Sequence, residues 1–248
     1  MQGSTLDNYT AVSENMQKAI NKAGATNLDF ILNLGNLVDN SKNIKQWSYL
    51  LNNVDFSKYP TMLVAGSKDK ALNSYFEIAN GGYKLLKAKV LPTDGSKEAK
   101  DLADKKNAKI DEENKFIIKD NDKVKKSAQT GAYYSYKISN VKVIVLNTNS
   151  LSNDGLDSLQ LDWLKNELKE DAAWKVVAMH SGMYTNGPHS NDNTTKLLQK
   201  QLTSLFYDNG VDVVLQAIDK SLTTSKFIDR NGNIADNTSS KIKLDENT

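Results

Sequence analysis

Five short apolar stretches, each closing on a polar loop, constrain this chain more than any other feature. They lie at residues 28–34, 61–65, 141–146, 176–179 and 211–215. Each is long enough for a buried strand and too short to cross a bilayer. Helical spacing fills much of the intervening sequence. Val12, Met16, Ala19, Ile20 and Ala23 recur at three- and four-residue steps over 8–23, with Gly24 as a stop. A second helix is expected near 44–51. A third is expected over 157–168 with Leu161, Trp163, Leu164 and Leu168 inward, and a fourth from about 194 to 207. Tyr133–Tyr136 and 141–146 read as a hairpin turning at Ser139-Asn140. Alternating strand, loop and helix predicts an α/β sheet with helical crossovers.

One stretch has a different texture. Residues 84–126 hold 13 lysines and nine acids among few large apolar side chains. Such a mixture predicts a solvated insertion, partly helical around 97–109. No internal repeat is present. The 248 residues are read as one domain over 1–248 that contains this lysine-rich insertion.

Charge narrows the partners. Thirty-two basic residues nearly balance 30 acidic ones, leaving +2. That offers no long-range field for nucleic acid or an anionic membrane. Arg230 is the sole arginine, so the guanidinium fork used to read phosphates and guanines is almost missing. No nucleic-acid partner and no transmembrane segment are expected. The absence of cysteine rules out disulfides, thiolate metal sites and thiol nucleophiles. No charged-then-apolar leader opens the chain, and the polar ending at Thr248 reads as cut.

The two histidines share one stretch. The strand over 176–179 ends on His180, and a loop rich in Gly, Asn and Pro returns His189 nine residues later. Open α/β sheets bind ligands at such strand ends. A pair of loop histidines taken alone is more simply solvated or hydrogen-bonded than ligating.

Order and spacing of the strand ends resemble the calcineurin-like metallophosphoesterases, within them the bacterial purple-acid-phosphatase-like branch. The matching text is DFILNLGNLVDN at 29–40, TMLVAGSKD at 61–69, YYSY at 133–136, VLNTN at 145–149, QLDWL at 160–164, and the stretches 174–190 and 211–225. The resemblance implies a sandwich of two mixed sheets flanked by helices, without the first-motif strand and the closing strands. It also implies two divalent or trivalent metal ions and in-line attack of a metal-bound hydroxide on a phosphate ester. By the same resemblance the location is extracellular or at the cell surface.

Carried over residue by residue, that chemistry is depleted. No residue occupies the first aspartate position. The bridging aspartate falls on Asn36, which keeps an oxygen acceptor without the charge. In the Gly-Asn-His-Asp motif, Ser67 and Lys68 replace the amide and imidazole, while Gly66 and Asp69 remain. His180 keeps the strand-end metal-ligand position and His189 the substrate-facing one. The closing Gly-His-Asp-His motif reads Ala217-Ile218-Asp219-Lys220. His180 and Asn36 are thus the remaining metal candidates, and His189 and Asp69 the vestigial catalytic ones.

Such a set is expected to hold no metal tightly, and Lys68 and Lys220 would repel divalent cations. The same two lysines could bind phosphate or another small anion, lysine acting as a point-charge binder. The simpler reading is that both extend into solvent. Asp69 and Asp219 also suit structural roles in turns. Three functions follow. The first is an impaired phosphoesterase domain serving as an anion-binding or structural module. The others are an active phosphoesterase with an atypical site, and a non-functional fragment.

Overall fold

The computed structural model describes residues 6–24, 28–69, 72, 92–93, 96–127, 133–149, 151–219 and 221–235; side chains are described from 13 onward and not over 116–127. The chain opens with α1 (Leu6–Gly24), then β1 (Ile31–Asn33), α2 (Ile44–Asn53) and β2 (Thr61–Leu63). A long helix, α3 (Lys97–Ser127), precedes the hairpin β3 (Tyr134–Ile138) and β4 (Val141–Val145). A small hairpin of β5 (Leu151–Ser152) and β6 (Gly155–Leu156) follows, then α4 (Ser158–Glu167), β7 (Trp174–Ala178), α5 (Asn193–Asp208) and β8 (Val213–Leu215).

These strands form two principal sheets. β1 and β2 pair in parallel around α2, as a βαβ unit must. The second sheet runs β3-β4-β7-β8, antiparallel at the hairpin and parallel thereafter. Side-chain alternation along the strands divides the core into three layers. Met62 and Val64 face Val143, Val145 and Ala178 between the sheets. Leu63 and Ala65 point the other way, against Ile20, Trp47 and Leu50 of the first two helices. Ile144, Val177 and Met179 pack outward on Leu164, Leu198 and Leu202 of α4 and α5. The result is a mixed α/β sandwich with helices on its outer faces.

Local chemistry accounts for the helix bounds. Asn43 accepts from Lys45 N–H, and Asp157 accepts from the N–H groups of Leu159 and Gln160, so each caps its helix. Ser139 takes a positive φ of 53° at the β3–β4 turn. The helix expected around 97–109 is far longer than expected. Without Gly or Pro between Lys97 and Ser127, nothing in that sequence stops it. The earlier part of the expected insertion, 84–91, lies outside the described residues. The β5–β6 hairpin was not anticipated, its strands being too short to carry periodicity.

Two polar contacts lock the layers. Tyr134, buried between the sheets, accepts at its hydroxyl from Leu63 N–H at 2.7 Å and donates to Leu63 C=O at 2.9 Å. Burial pushes its phenol pKa up, so the hydroxyl stays protonated. Lys142, nearly inaccessible on β4, is paired with Glu167 at 2.8 Å and with Glu170 at the end of α4. Tyr134 is the more informative to remove, because it leaves both backbone groups of Leu63 unpaired in an apolar layer. Tyr134→Phe is expected to destabilise the fold by about 1–3 kcal/mol, read from the urea unfolding midpoint.

Candidate functional site

Loops after four strands meet at one end of the sandwich. Gly35 and Asn36 follow β1, and Gly66 to Asp69 follow β2. Asn147 to Asn149 follow β4, and His180 and Ser181 follow β7. The first two loops touch so closely that side chains are excluded. A Cβ on Gly35, whose φ is +97°, would lie 2.7 Å from Gly66 Cα, and one on Gly66 would lie 2.2 Å from Asn36 N. Asn36 itself sits in the left-handed region at φ 58°, which asparagine tolerates better than most residues.

That approach delivers Asn36 to His180. The imidazole is 2% exposed. Its Nδ1 lies 2.8 Å from Leu34 C=O, which can only accept, so Nδ1 carries the proton. Nε2 is 3.1 Å from Asn36 Nδ2 and must accept from it. The amide orientation is fixed from its other side, where Oδ1 accepts from Lys68 N–H at 3.0 Å. Ser67 Oγ stands at 3.5 Å from the same oxygen. Burial pushes the His180 pKa down; the Leu34 contact and the Asp69 charge oppose this without reversing it. A neutral, single-tautomer imidazole is therefore held by two hydrogen bonds.

Asp69 is fully buried under this loop. Its carboxylate accepts from Val38 N–H at 3.1 Å and from Gly66 N–H at 3.2 Å. Desolvation pushes its pKa up, against the pull of these backbone donors. Asn149 Nδ2 donates to the carbonyls of Ala65 and Gly66, and Thr148 Oγ1 accepts from Ser181 N–H. The carbonyls that Asn149 joins carry no side-chain signal in the sequence.

The second histidine stands elsewhere in the network. His189 is part-exposed, with Nδ1 2.8 Å from Asp192 Oδ2. Its backbone N–H donates to Asp219 Oδ1 at 3.1 Å, and Thr185 Oγ1 donates to Asp219 Oδ2. Asp219 thus clamps the 185–189 loop. His180 C=O accepts from Ala217 and Ile218 N–H, tying the ends of β7 and β8 together. Asn36, Ser67 and His180 therefore converge. Lys68 joins them through its backbone while its side chain is exposed. Lys220 lies outside the described residues.

A family model for calcineurin-like phosphoesterases matches residues 6–217. The chain belongs to that family. The family generally uses two divalent metal ions. Among solved structures, a purple acid phosphatase from yellow lupin (Lupinus luteus) seeds is similar at 10% identity, covering 84% of this chain and 33% of that one, with a TM-score of 0.49. GAP50, titled the anchor in the inner membrane complex of Plasmodium, is similar at 15% identity, with 88% and 63% coverage and a TM-score of 0.46. The chain thus spans less than two thirds of either relative. No curated protein sequence matches it.

The donors of this member fit a pair of divalent ions poorly. Among the described residues no three His, Asp or Glu side chains cluster to hold a metal. The one imidazole lone pair in the centre already accepts from an amide N–H. The one buried carboxylate already accepts from backbone N–H groups.

This arrangement sets a pH signature. The folded His180 resists the proton that the unfolded chain takes up below about pH 6.5. Stability is therefore present above that value and lost as pH falls, by at most about 1.4 kcal/mol per pH unit from this group. Asp69, shifted up, contributes with the opposite sign, so comparing the parent with His180→Phe isolates the imidazole. Asn36→Asp should reverse the slope. A carboxylate at that position favours the imidazolium, whose contribution is present at low pH and lost as pH rises. Urea titrations between about pH 5 and pH 8 check both signs.

Proposed function

We propose that this member of the calcineurin-like phosphoesterase family has lost dinuclear metal hydrolysis and serves as a binding or structural module. The observation that carries the reading is the Asn36–His180 hydrogen bond. At the position where the resemblance expects a bridging aspartate, an amide donates to the nitrogen that would ligate. A divalent ion entering here would have to displace that donor and rotate Asn36 away from Lys68 N–H. It would gain no negative charge in return. The pair satisfies itself without an ion.

His189 and Asp69 are read in the same light. His189 is held by Asp192 and Asp219 as part of a loop, and Asp69 anchors backbone N–H groups. Neither is poised on a shared reacting centre. Lys68 is the residue through which a small anion would bind, since its ammonium is exposed beside the convergent loops. The role given to Lys220 extends that reading by resemblance alone. An extracellular or cell-surface location follows from resemblance to exported members of the branch. No helix among the described residues is long and apolar enough to cross a membrane.

Two measurements test the proposal. Elemental analysis of protein dialysed against zinc, manganese or iron should give far less than one ion per chain. Hydrolysis of p-nitrophenyl phosphate should stay at the blank rate, unchanged in His180→Ala. Stoichiometric metal together with turnover that His180→Ala abolishes would overturn it in favour of an active phosphoesterase with an atypical site. Phosphate titration of the parent against Lys68→Ala tests the anion role separately; an unchanged affinity removes it.

A further inference from the structure

A second cationic feature lies away from the Asn36–His180 centre. A cavity of about 440 Å³ opens between α5, Tyr184 and the turn around Arg230. That volume is within the range of small-ligand sites. Lys196 and Lys200 line it one helical turn apart, with Thr203 and Ser204 on the following turn. Like charges at this spacing repel along a helix. The acids at the two ends of α5, Asp192 and Asp208, are paired with His189 and Arg230, and no acidic residue lies between them. Among the described residues no ion pair involves either lysine.

The opposite wall is held firmly. Arg230 makes a two-pronged ion pair with Asp208 at 2.7 and 2.9 Å, which fixes the direction of its guanidinium. Its turn is closed by the Ile228–Ile234 bridge and by Asp229, which accepts from the N–H groups of Asn231 and Asn233 at 2.8 Å each. Tyr184 Oη bonds Thr203 Oγ1 at 2.8 Å, joining the loop to the helix. At Gly232, a Cβ would meet Tyr184 Oη at 2.8 Å. The turn is therefore fitted closely to the tyrosine. Two lysines without an ion-pair partner among the described residues, an arginine paired with Asp208, and a set of hydroxyl and amide groups thus surround a preformed cavity. Ammonium groups favour an oxyanion of double charge, and the hydroxyl and amide lining favours a polar, hydroxylated body beside it.

We propose that this cavity binds a phosphorylated sugar, its phosphate against Lys196 and Lys200 and its hydroxyls toward Thr203, Ser204 and Asn231. The site is one of recognition, since its lining offers no imidazole and no free carboxylate for proton transfer. It is independent of the loop end that carries Lys68.

Isothermal titration of the full chain with glucose 6-phosphate, glucose and inorganic phosphate tests this. Saturable binding of glucose 6-phosphate is expected. Glucose should not bind, and inorganic phosphate should bind about tenfold more weakly for want of the hydroxyl contacts. Lys196→Ala/Lys200→Ala should weaken glucose 6-phosphate about tenfold or more by removing two charge-assisted contacts. Both lysines are exposed, so the double variant should keep the parent melting temperature. All three titrations are repeated in Lys68→Ala, which removes the loop-end anion site, and the preference for glucose 6-phosphate over inorganic phosphate should persist there. Absence of binding, or binding that the double variant leaves intact, overturns the proposal. Equal affinity for inorganic phosphate overturns the sugar assignment. Loss on Lys68→Ala alone moves the ligand to the other site and overturns this one.

Discussion

A buried amide–imidazole contact joins the two sheets at the end where their loops converge. Asn36 belongs to the loop after β1, His180 to the end of β7, and each is anchored by backbone on its far side. Remove the amide and the imidazole nitrogen loses its donor. Remove the imidazole and the amide loses its acceptor. Both side chains are buried, and a buried polar atom left unpaired costs more than a hydrogen bond gains, so the pair is held in place by the penalty for parting. A neutral hydrogen bond thus fastens loops that belong to different sheets.

The rest of the sandwich supports that junction. Val64 N–H donates to Asn33 C=O just before the two loops diverge from their strands. On the other side of β2, the Tyr134 hydroxyl occupies both backbone groups of Leu63. A side chain from the facing sheet thereby satisfies backbone groups that a neighbouring strand would satisfy elsewhere. The position of β2 against β3 is fixed by direction as well as by apolar contact. Gly66 is then brought against Asn36 with no room for a Cβ. Geometry at the centre thus depends on a tyrosine that shares no chemistry with it.

Much of this could be read from residue order. Periodicity placed α1, α2, α4, α5 and most of the strands, because each buries one regular face. It did not predict the length of α3, where mixed charge hid a stretch lacking helix breakers. It also missed β5 and β6, which are only two residues each. At the centre, Gly35, Gly66, Asn36 and His180 stood out in the sequence as strand-end residues. What residue types could not convey was pairing: that His180 would bond an amide and a carbonyl, and that Asp69 would turn to backbone N–H groups. Those partners are mostly main-chain atoms, which every residue possesses and none advertises. Asp219 shows the same limit, since its clamp on Thr185 and His189 joins segments thirty residues apart.

The frame of this centre rests on contacts among protein atoms. The close glycine contact, the left-handed Asn36 and the buried Asp69 serve the packing of the loops whether or not an ion lies among them. On the function proposed above, an asparagine at the position where the resemblance places a bridging aspartate satisfies itself at nearly constant shape. Adding Lys68 on the exposed side then costs little, because its charge faces water and its backbone supports the amide. A near-neutral chain can nevertheless place cations locally. The loop after β2 carries one, and α5 carries two more, the acids at its two ends, Asp192 and Asp208, being paired with His189 and Arg230. On the two proposals made above, their separation lets the centre be a structural joint while another surface takes up recognition.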